Sequence, residues 1–254
     1  MYSVCLAMIV RNEAASIMKC LDSIRPWVDR MVVLDTGSVD DTVTIARQAG
    51  ARVEHFTWVD DFSAARNCAL DWANADWNVV LDADEVLTVG GEKIAQLREM
   101  RPEFVGSVRI DNRFGAAETE GFASTWISRV LPRGVRYRGR IHEQPQHALT
   151  VRKLGVHLDH AGYTPDAMLA KDGRNAALLT RALLEMPGDG YMLYQIGKDH
   201  AVYQRYEKAV HYFEQADQAL SSGLSISHDL LLRWLFALKK CRQYAKAMEL
   251  AESR

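Results

Sequence analysis

Cysteine is scarce in this chain of 254 residues: only Cys5, Cys20, Cys68 and Cys241, far apart and forming no C-x-x-C pair. That spacing argues against a disulfide framework or a zinc ribbon, and thiols set among apolar neighbours read as reduced core residues. Long apolar runs are missing as well, since none approaches the roughly 18 residues that would cross a bilayer. The first apolar stretch, Cys5 to Val10, is too short for a signal peptide and runs straight into Arg11, Asn12 and Glu13. Nor is there an excess of one charge. A formal net charge of −2 argues against a nucleic-acid binder that works by broad phosphate neutralisation. Neither a G-x-x-x-x-G-K-[ST] loop nor a G-x-G-x-x-G turn occurs, which disfavours an ATPase or a dinucleotide dehydrogenase. What is present, 48% hydrophobic and 25% charged residues, is the composition of a globular protein with a full core. The expected location is the cytoplasm, with peripheral work at the inner face of a membrane still open.

The first third alternates short apolar runs with helical patterns. Val4 to Val10, Met31 to Leu34, Val53 to Phe56 and Val79 to Leu81 read as strands. Between them, Ile17, Leu21 and Ile24 recur at helical spacing until Pro26, a helix starts at Ser38–Asp41 and ends at Gly50, and Asp61 or Ser63 caps a helix carrying Ala65, Cys68, Ala69 and Trp72. This βαβαβαβ order predicts an α/β fold with a parallel sheet covered on both faces. Ligands of such sheets bind beyond the carboxyl ends of the strands. From Val105 to Leu158 the pattern turns to irregular strands (Ser107–Ile110, Thr125–Leu131, Val135–Ile141, Val151–Leu158), with a polar loop expected over Asn112–Gly121. Beyond Tyr163 the composition is helical. Leu193, Ile196, Gly197, Ala209, Phe213 and Ala216 fit tetratricopeptide spacing, and Tyr244-Ala245-Lys246-Ala247 echoes Tyr206-Glu207-Lys208-Ala209 at an offset of 38 instead of 34. A plain helical bundle fits the same segment. The expected division is residues 1–165 and 166–254.

The most informative stretch is Trp77-Asn78-Val79-Val80-Leu81-Asp82-Ala83-Asp84-Glu85, an apolar strand closing on two carboxylates. Side chains alternate along a strand, so Asp82 and Asp84 lean to one side, where hard oxygens can hold a divalent cation against a diphosphate. Chance alone supplies about one D-x-D in a chain this long, so position and company carry the weight. The false lead His142-Glu143-Gln144-Pro145-Gln146-His147 is not H-E-x-x-H: the second histidine comes one residue late and Pro145 would break the helix.

Taken in order, Ala7-Met8-Ile9-Val10-Arg11-Asn12-Glu13, Val33-Leu34-Asp35-Thr36-Gly37-Ser38, Asp61-Phe62-Ser63-Ala64-Ala65-Arg66-Asn67 and Leu81-Asp82-Ala83-Asp84-Glu85 resemble the signature of family 2 glycosyltransferases. The nearest likeness is to a bacterial subgroup with a tetratricopeptide-like tail. The resemblance implies a GT-A nucleotide-diphospho-sugar transferase fold, a mixed Rossmann-like sheet, followed by the helical domain. It implies transfer of a sugar from a nucleotide-sugar, with a UDP-sugar expected, to an acceptor hydroxyl or thiol, with inversion and with Mg2+ or Mn2+ as cofactor. By the family pattern Asp82 faces the ribose, Asp84 reaches the metal, and the backbone at Ala83 lies between them. Asp35 meets the nucleobase, Arg66 the diphosphate or base, and Val10, Arg11, Asn12 and Glu13 contact the nucleoside. Arg138-Gly139-Arg140-Ile141-His142-Glu143 resembles the subgroup's G-x-I-H-E segment and makes Glu143 the candidate base, with Asp111 and Glu118 as rivals. His160 is the candidate further metal ligand, with His142 and His157 as rivals. The acceptor, whether a glycan, a lipid-linked sugar or a peptide, is not legible, and the tail suits either a peptide contact or a homodimer. The alternative is a nucleotide-binding tetratricopeptide module that recruits a protein without catalysis.

Overall fold

The computed structural model describes residues 1–114, 121–160, 175, 177–220 and 226–253. Two compact units emerge, one of Met1–Gly139 with Glu143–Met168, the other of Arg140–His142 with Leu169–Arg254.

The first unit is built on an eight-stranded mixed sheet in the order β3-β2-β1-β4-β7-β6-β10-β5. Strands β1 (Val4–Val10), β2 (Arg30–Asp35), β3 (Arg52–His55) and β4 (Trp77–Val80) run parallel. Helices α1 (Ile17–Ile24), α2 (Thr42–Gln48) and α3 (Phe62–Ala73) form the crossovers. The period of two in β1 sorts its residues between two cores. Val4, Leu6, Met8 and Val10 join Ile17, Cys20, Leu21 and Ile24 of α1 on one face, and Cys5 and Ala7 join Ala69, Leu70 and Ala73 of α3 on the other. Asp61 is the cap of α3: its Oδ1 accepts from the Ala64 N–H at 3.0 Å. Helix α2 stops before Gly50, whose φ of +83° suits the residue after a helix end.

Beyond β4 the sheet turns mixed. β5 (Glu85–Val89) pairs antiparallel with β10 (Thr150–His160), β6 (Phe104–Phe114) pairs antiparallel with β7 (Gly121–Pro132), and β10 runs parallel to β6. A short helix α4 (Gly91–Gln96) follows β5. Strand β8 (Arg136–Arg138) pairs with β9 (Gln144–Gln146) as a separate ribbon. Three expectations need correcting here. The acidic stretch runs on into strand β5. Asn112 to Phe114 and Gly121 belong to strands, leaving only 115–120 of the expected loop, outside the described residues. The strand over Val135–Ile141 shrinks to three residues, because Gly139 at φ +107° and His142 at φ +53° turn the chain out of extended geometry.

In the second unit residues 177–185 are helical (α5). Two helix hairpins follow, α6 (Gly190–Val202) with α7 (Tyr206–Ala219) and α8 (Ile226–Lys240) with α9 (Tyr244–Glu252). Their turns repeat at the 38-residue offset. Gln204 and Arg242 both sit at φ +58°, and Arg205 N–H to His200 O is matched by Gln243 N–H to Leu238 O. Gly197 permits the close approach within the first hairpin, since a Cβ there would lie 2.5 Å from the Phe213 ring. Among the described residues no helix is long and apolar enough to cross a membrane.

Candidate functional site

In the sheet order, β2 leaves β1 on one side and β4 lies on the other. The crevice therefore opens between the carboxyl ends of β1 and β4. Those ends carry Val10-Arg11-Asn12-Glu13 and Leu81-Asp82-Ala83-Asp84, with Asp35 at the end of β2.

The loops after β1 and β2 brace each other. Asn12, at φ +57°, donates its N–H to Ser38 Oγ (2.9 Å) and accepts from Val39 N–H (2.8 Å), while the Glu13 N–H reaches Thr42 Oγ1 (2.7 Å). The Val10 carbonyl accepts from both the N–H and the hydroxyl of Thr36, at 2.9 Å each. Val10 and Ala83 are buried, whereas Arg11 is exposed. Asp35 is buried; its carboxylate accepts from Ser38 N–H at 3.0 Å and faces His55 Nδ1 at 3.3 Å. It lines an open cavity of about 370 Å³ with Thr36, Gly37, His55, Phe56, Thr57 and Trp58.

At the end of β4 lies a buried ionic chain. Arg66 Nη2 donates to Asp82 Oδ1 (2.8 Å) and its Nε to Glu143 Oε1 (2.5 Å). Arg129 Nη2 donates to Asp82 Oδ2 and to Glu85 Oε1, both at 2.7 Å, and the Asp82 N–H returns to Glu85 Oε2 (2.9 Å). Two guanidiniums thus face three carboxyls, and one proton retained among the carboxyls would balance the charge. Burial pushes Glu85 up to about 7, with the Asp82 charge adding to it against Arg129. Burial also works against the Asp82 charge, but Arg129 and Arg66 override it and hold that carboxyl well below the usual range. Asp82 keeps 36% of its side chain exposed, enough for a further hydroxyl donor to reach it. Asn67, beside Arg66, clasps the backbone of Tyr137 through two hydrogen bonds of 2.9 and 2.8 Å and so ties β8 to α3.

Asp84 faces elsewhere: its Oδ2 lies 3.1 Å from His160 Nε2, and His160 Nδ1 lies 2.7 Å from Asn112 Oδ1. Among the described residues no three His, Cys, Asp or Glu side chains gather as a complete metal cage. The carboxylate and imidazole of this pair nonetheless suit Mg2+ or Mn2+ whose other positions are filled by phosphate oxygens and water. Cys20 contributes no thiolate, because burial and then the charges of Glu85, Asp82 and Asp84 lift its thiol well above the ordinary value.

The structure groups Arg66, Asp82 and Glu143 in one network, Asp84 with His160 in a second, and Asp35 with the Arg11–Glu13 loop along the β1–β2 side. Of the rivals, Asp111 is engaged by Arg109 (2.8 Å) and Ser124 (2.5 Å), and Glu118 lies outside the described residues. His157 lies on β10, and His142 belongs to the second unit, its ring pulled down to about 4 by burial and then by Lys198. Sequence reasoning missed Arg129, Glu85 and Asn112. Arg129 falls where β7 slips register against β6: Val130 pairs with Gly106 but Ser128 with Ser107, which leaves Arg129 as the extra residue of a bulge. A bulge re-aims a side chain that simple alternation would place elsewhere. The available signal was a lone arginine abutting the apolar Val130-Leu131, because a charge there must find partners.

Residues 5–108 match the family described as Glycosyl transferase family 2. A TPR repeat-containing protein of Synechococcus elongatus is 34% identical over 213 residues, covering 78% of this chain and 52% of that protein. The SPbeta prophage-derived glycosyltransferase SunS of Bacillus subtilis is 27% identical over 217 residues, covering 82% and 51%. The chain thus spans about half the length of the curated relatives it matches. Among solved structures, glucosyl-3-phosphoglycerate synthase from Mycobacterium tuberculosis, crystallised with Mn2+, UDP and glucosyl-3-phosphoglycerate, aligns over 45% of each chain at 26% identity and a TM-score of 0.36.

Proposed function

We propose that this chain, residues 5–108 of which match glycosyl transferase family 2, moves a sugar from a UDP-sugar to an acceptor hydroxyl or thiol, with inversion at the anomeric carbon. The observation that carries this reading is the division of labour between two neighbouring acids. Asp82 is locked between Arg66 and Arg129, while Asp84 is turned to His160. A locked carboxylate suits recognition of a ribose hydroxyl, and a carboxylate beside an imidazole nitrogen suits a divalent cation.

Asp84 and His160 are the residues that would hold Mg2+ or Mn2+. A bound cation would neutralise charge on a departing nucleoside diphosphate. The chain's own residues do the rest. Asp35 lines the cavity at the end of β2, where its carboxylate can accept a nucleobase N–H. The braced loop Arg11–Glu13 walls the nucleoside side. Glu143 takes the acceptor's proton as the acceptor attacks. Its Oε1 is held by Arg66, which leaves Oε2, without a hydrogen bond among the described residues, as the proton-accepting atom. The reaction then balances: the acceptor oxygen or sulfur bonds to the anomeric carbon, the bond to the diphosphate breaks, and the proton ends on Glu143.

The helical unit is the proposed acceptor-recruiting part, for a peptide or glycan carrier, because stacked helix hairpins present an extended surface. The four cysteines are free thiols, as suits the cytoplasm, where we place the protein. The test is release of UDP from a panel of UDP-sugars with Mn2+, first without and then with candidate acceptors. Metal-dependent release that is lost in Asp84→Ala, with the circular dichroism unchanged, is the expected result. No release from any donor would favour a nucleotide-binding module, and full activity in Asp84→Ala would overturn the assignment.

A further inference from the structure

His160 closes β10 and stands in register between two neighbours, Asn112 of β6 on one side and Glu85 of β5 on the other. Register partners in adjacent strands share a face of the sheet, so the side chains of Asn112 and His160 are set beside each other by the backbone ladder itself. The contact follows directly: Asn112 Oδ1 lies 2.7 Å from His160 Nδ1, and Asn112 Nδ2 is anchored at 3.2 Å on the Ala123 carbonyl of β7. The amide is therefore oriented from both ends. Its nitrogen must donate to a carbonyl, which leaves its oxygen, an acceptor, toward the imidazole. An imidazole nitrogen that meets an acceptor must carry the proton. In the neutral ring the other nitrogen then presents a lone pair, and that nitrogen, Nε2, is the one 3.1 Å from Asp84 Oδ2.

We propose that Asn112 is a positioning residue for the cation site: it fixes the Nδ1–H tautomer and the ring angle of His160, so that Nε2 and Asp84 converge on one ion. This rests on the metal reading given above and adds to it a residue that touches neither ion nor substrate. It also accounts for the odd pairing of two acceptors. An imidazole Nε2 lone pair and a carboxylate at 3.1 Å repel unless a proton or a cation lies between them, so the pair is prepared for a positive charge. Without Asn112 the ring is free to take the other tautomer, which places N–H toward Asp84 and closes the site with a hydrogen bond.

The experiment uses the full chain with 15N-labelled histidine, free of metal, at a pH where the ring is neutral. Long-range 15N–1H correlation spectra read the tautomer of His160, identified by the resonances lost in His160→Gln. Mn2+ affinity in the presence of UDP is then read by electron paramagnetic resonance for the wild type, Asn112→Ala and Asn112→Asp. The expected results are an Nδ1–H ring in the wild type, a shift toward Nε2–H in Asn112→Ala, and Mn2+ binding weakened there by about 10–100-fold. Asn112→Asp, which keeps an acceptor, should restore both readings. An Nε2–H ring in the wild type, or an unchanged tautomer in Asn112→Ala, overturns the proposal. If the tautomer shifts but the wild type binds no Mn2+ that Asp84→Ala removes, the metal reading fails, and the positioning role toward an ion falls with it.

Discussion

The two units bury different things. In the sheet unit the core walls enclose Asp35, Arg66, Glu85 and Arg129, whereas Gln195 is the only buried polar residue among the described part of the helical unit. Ion pairs there, such as Lys246–Glu214 and Arg181–Glu185, lie on the surface. Exposed pairs of that kind contribute little to stability, while a buried charge is costly unless fully partnered. Two guanidiniums enclosed against three carboxyls are costly to keep and fit the chemical role proposed above, whereas Leu193, Phe213, Trp234 and Leu238 form an apolar core between helices. The contrast sets a charged sheet edge against an apolar helical core.

The contrast can be broken most forcefully at Asp84. Asp84→Ala should lower metal-dependent UDP release by about 10²–10³-fold, the range for losing one stabilising group at a site of developing charge, and leave the melting curve in place. Steady-state assays beside calorimetry on one preparation check both halves. Next comes Arg129→Met, which strands Asp82 and Glu85 side by side. Removing one partner of a buried ion network costs about 3–5 kcal/mol, so hydrogen exchange should quicken across β4 and β7 and stay unchanged in α6–α9. Exchange in β4 and β7 as slow as in the wild type would deny that Arg129 neutralises the cluster.

Gly197→Ala acts on the other side. Its new methyl would meet the fully buried Phe213 ring at 2.5 Å, and overpacking of this kind costs about 1–3 kcal/mol, against a gain of about 1 kcal/mol from helix propensity. Exchange should quicken in α6 and α7 while UDP release without acceptor is unaffected. A pair of opposite pH slopes sharpens the comparison further. Glu85 holds its proton to about pH 7 when folded, against 4.5 ordinarily, so its contribution to stability declines as pH rises from about 4.5 to 7. His142 resists protonation down to about 4, against 6.5, so its contribution declines as pH falls from about 6.5 to 4. Denaturant melts across that range, with Glu85→Gln and His142→Gln each flattening one limb, provide the check.

Much of the sheet unit was legible because its parallel strands, buried on both faces, read as short apolar runs between helical patterns, and β1 has the bounds that its run predicts, Val4 to Val10. The D-x-D and its neighbours were legible because they follow a strand. Legibility ended where the strands become irregular or gain their meaning from distant residues. Arg129 sits on a bulge, β5 begins with an acid that looks like part of the motif, and Asn112 gains its meaning only from a strand 48 residues away. The inclusion of Arg140–His142 in the helical unit had no signal in the chain, because nothing local in those residues names their distant neighbours. The helical unit's second repeat was legible from the Tyr-x-Lys-Ala echo, and its turn residues Gln204 and Arg242, both in left-handed geometry, were not, since neither is a glycine.

The most direct measurement is an anomalous-difference map from crystals soaked with Mn2+ and UDP. The account predicts one manganese peak touching Asp84 Oδ2 and His160 Nε2, with diphosphate oxygens completing its shell and Asp82 on the ribose. UDP seated in the cleft with no manganese at that pair, or an ion held by Asp82 and Glu85 instead, would contradict it.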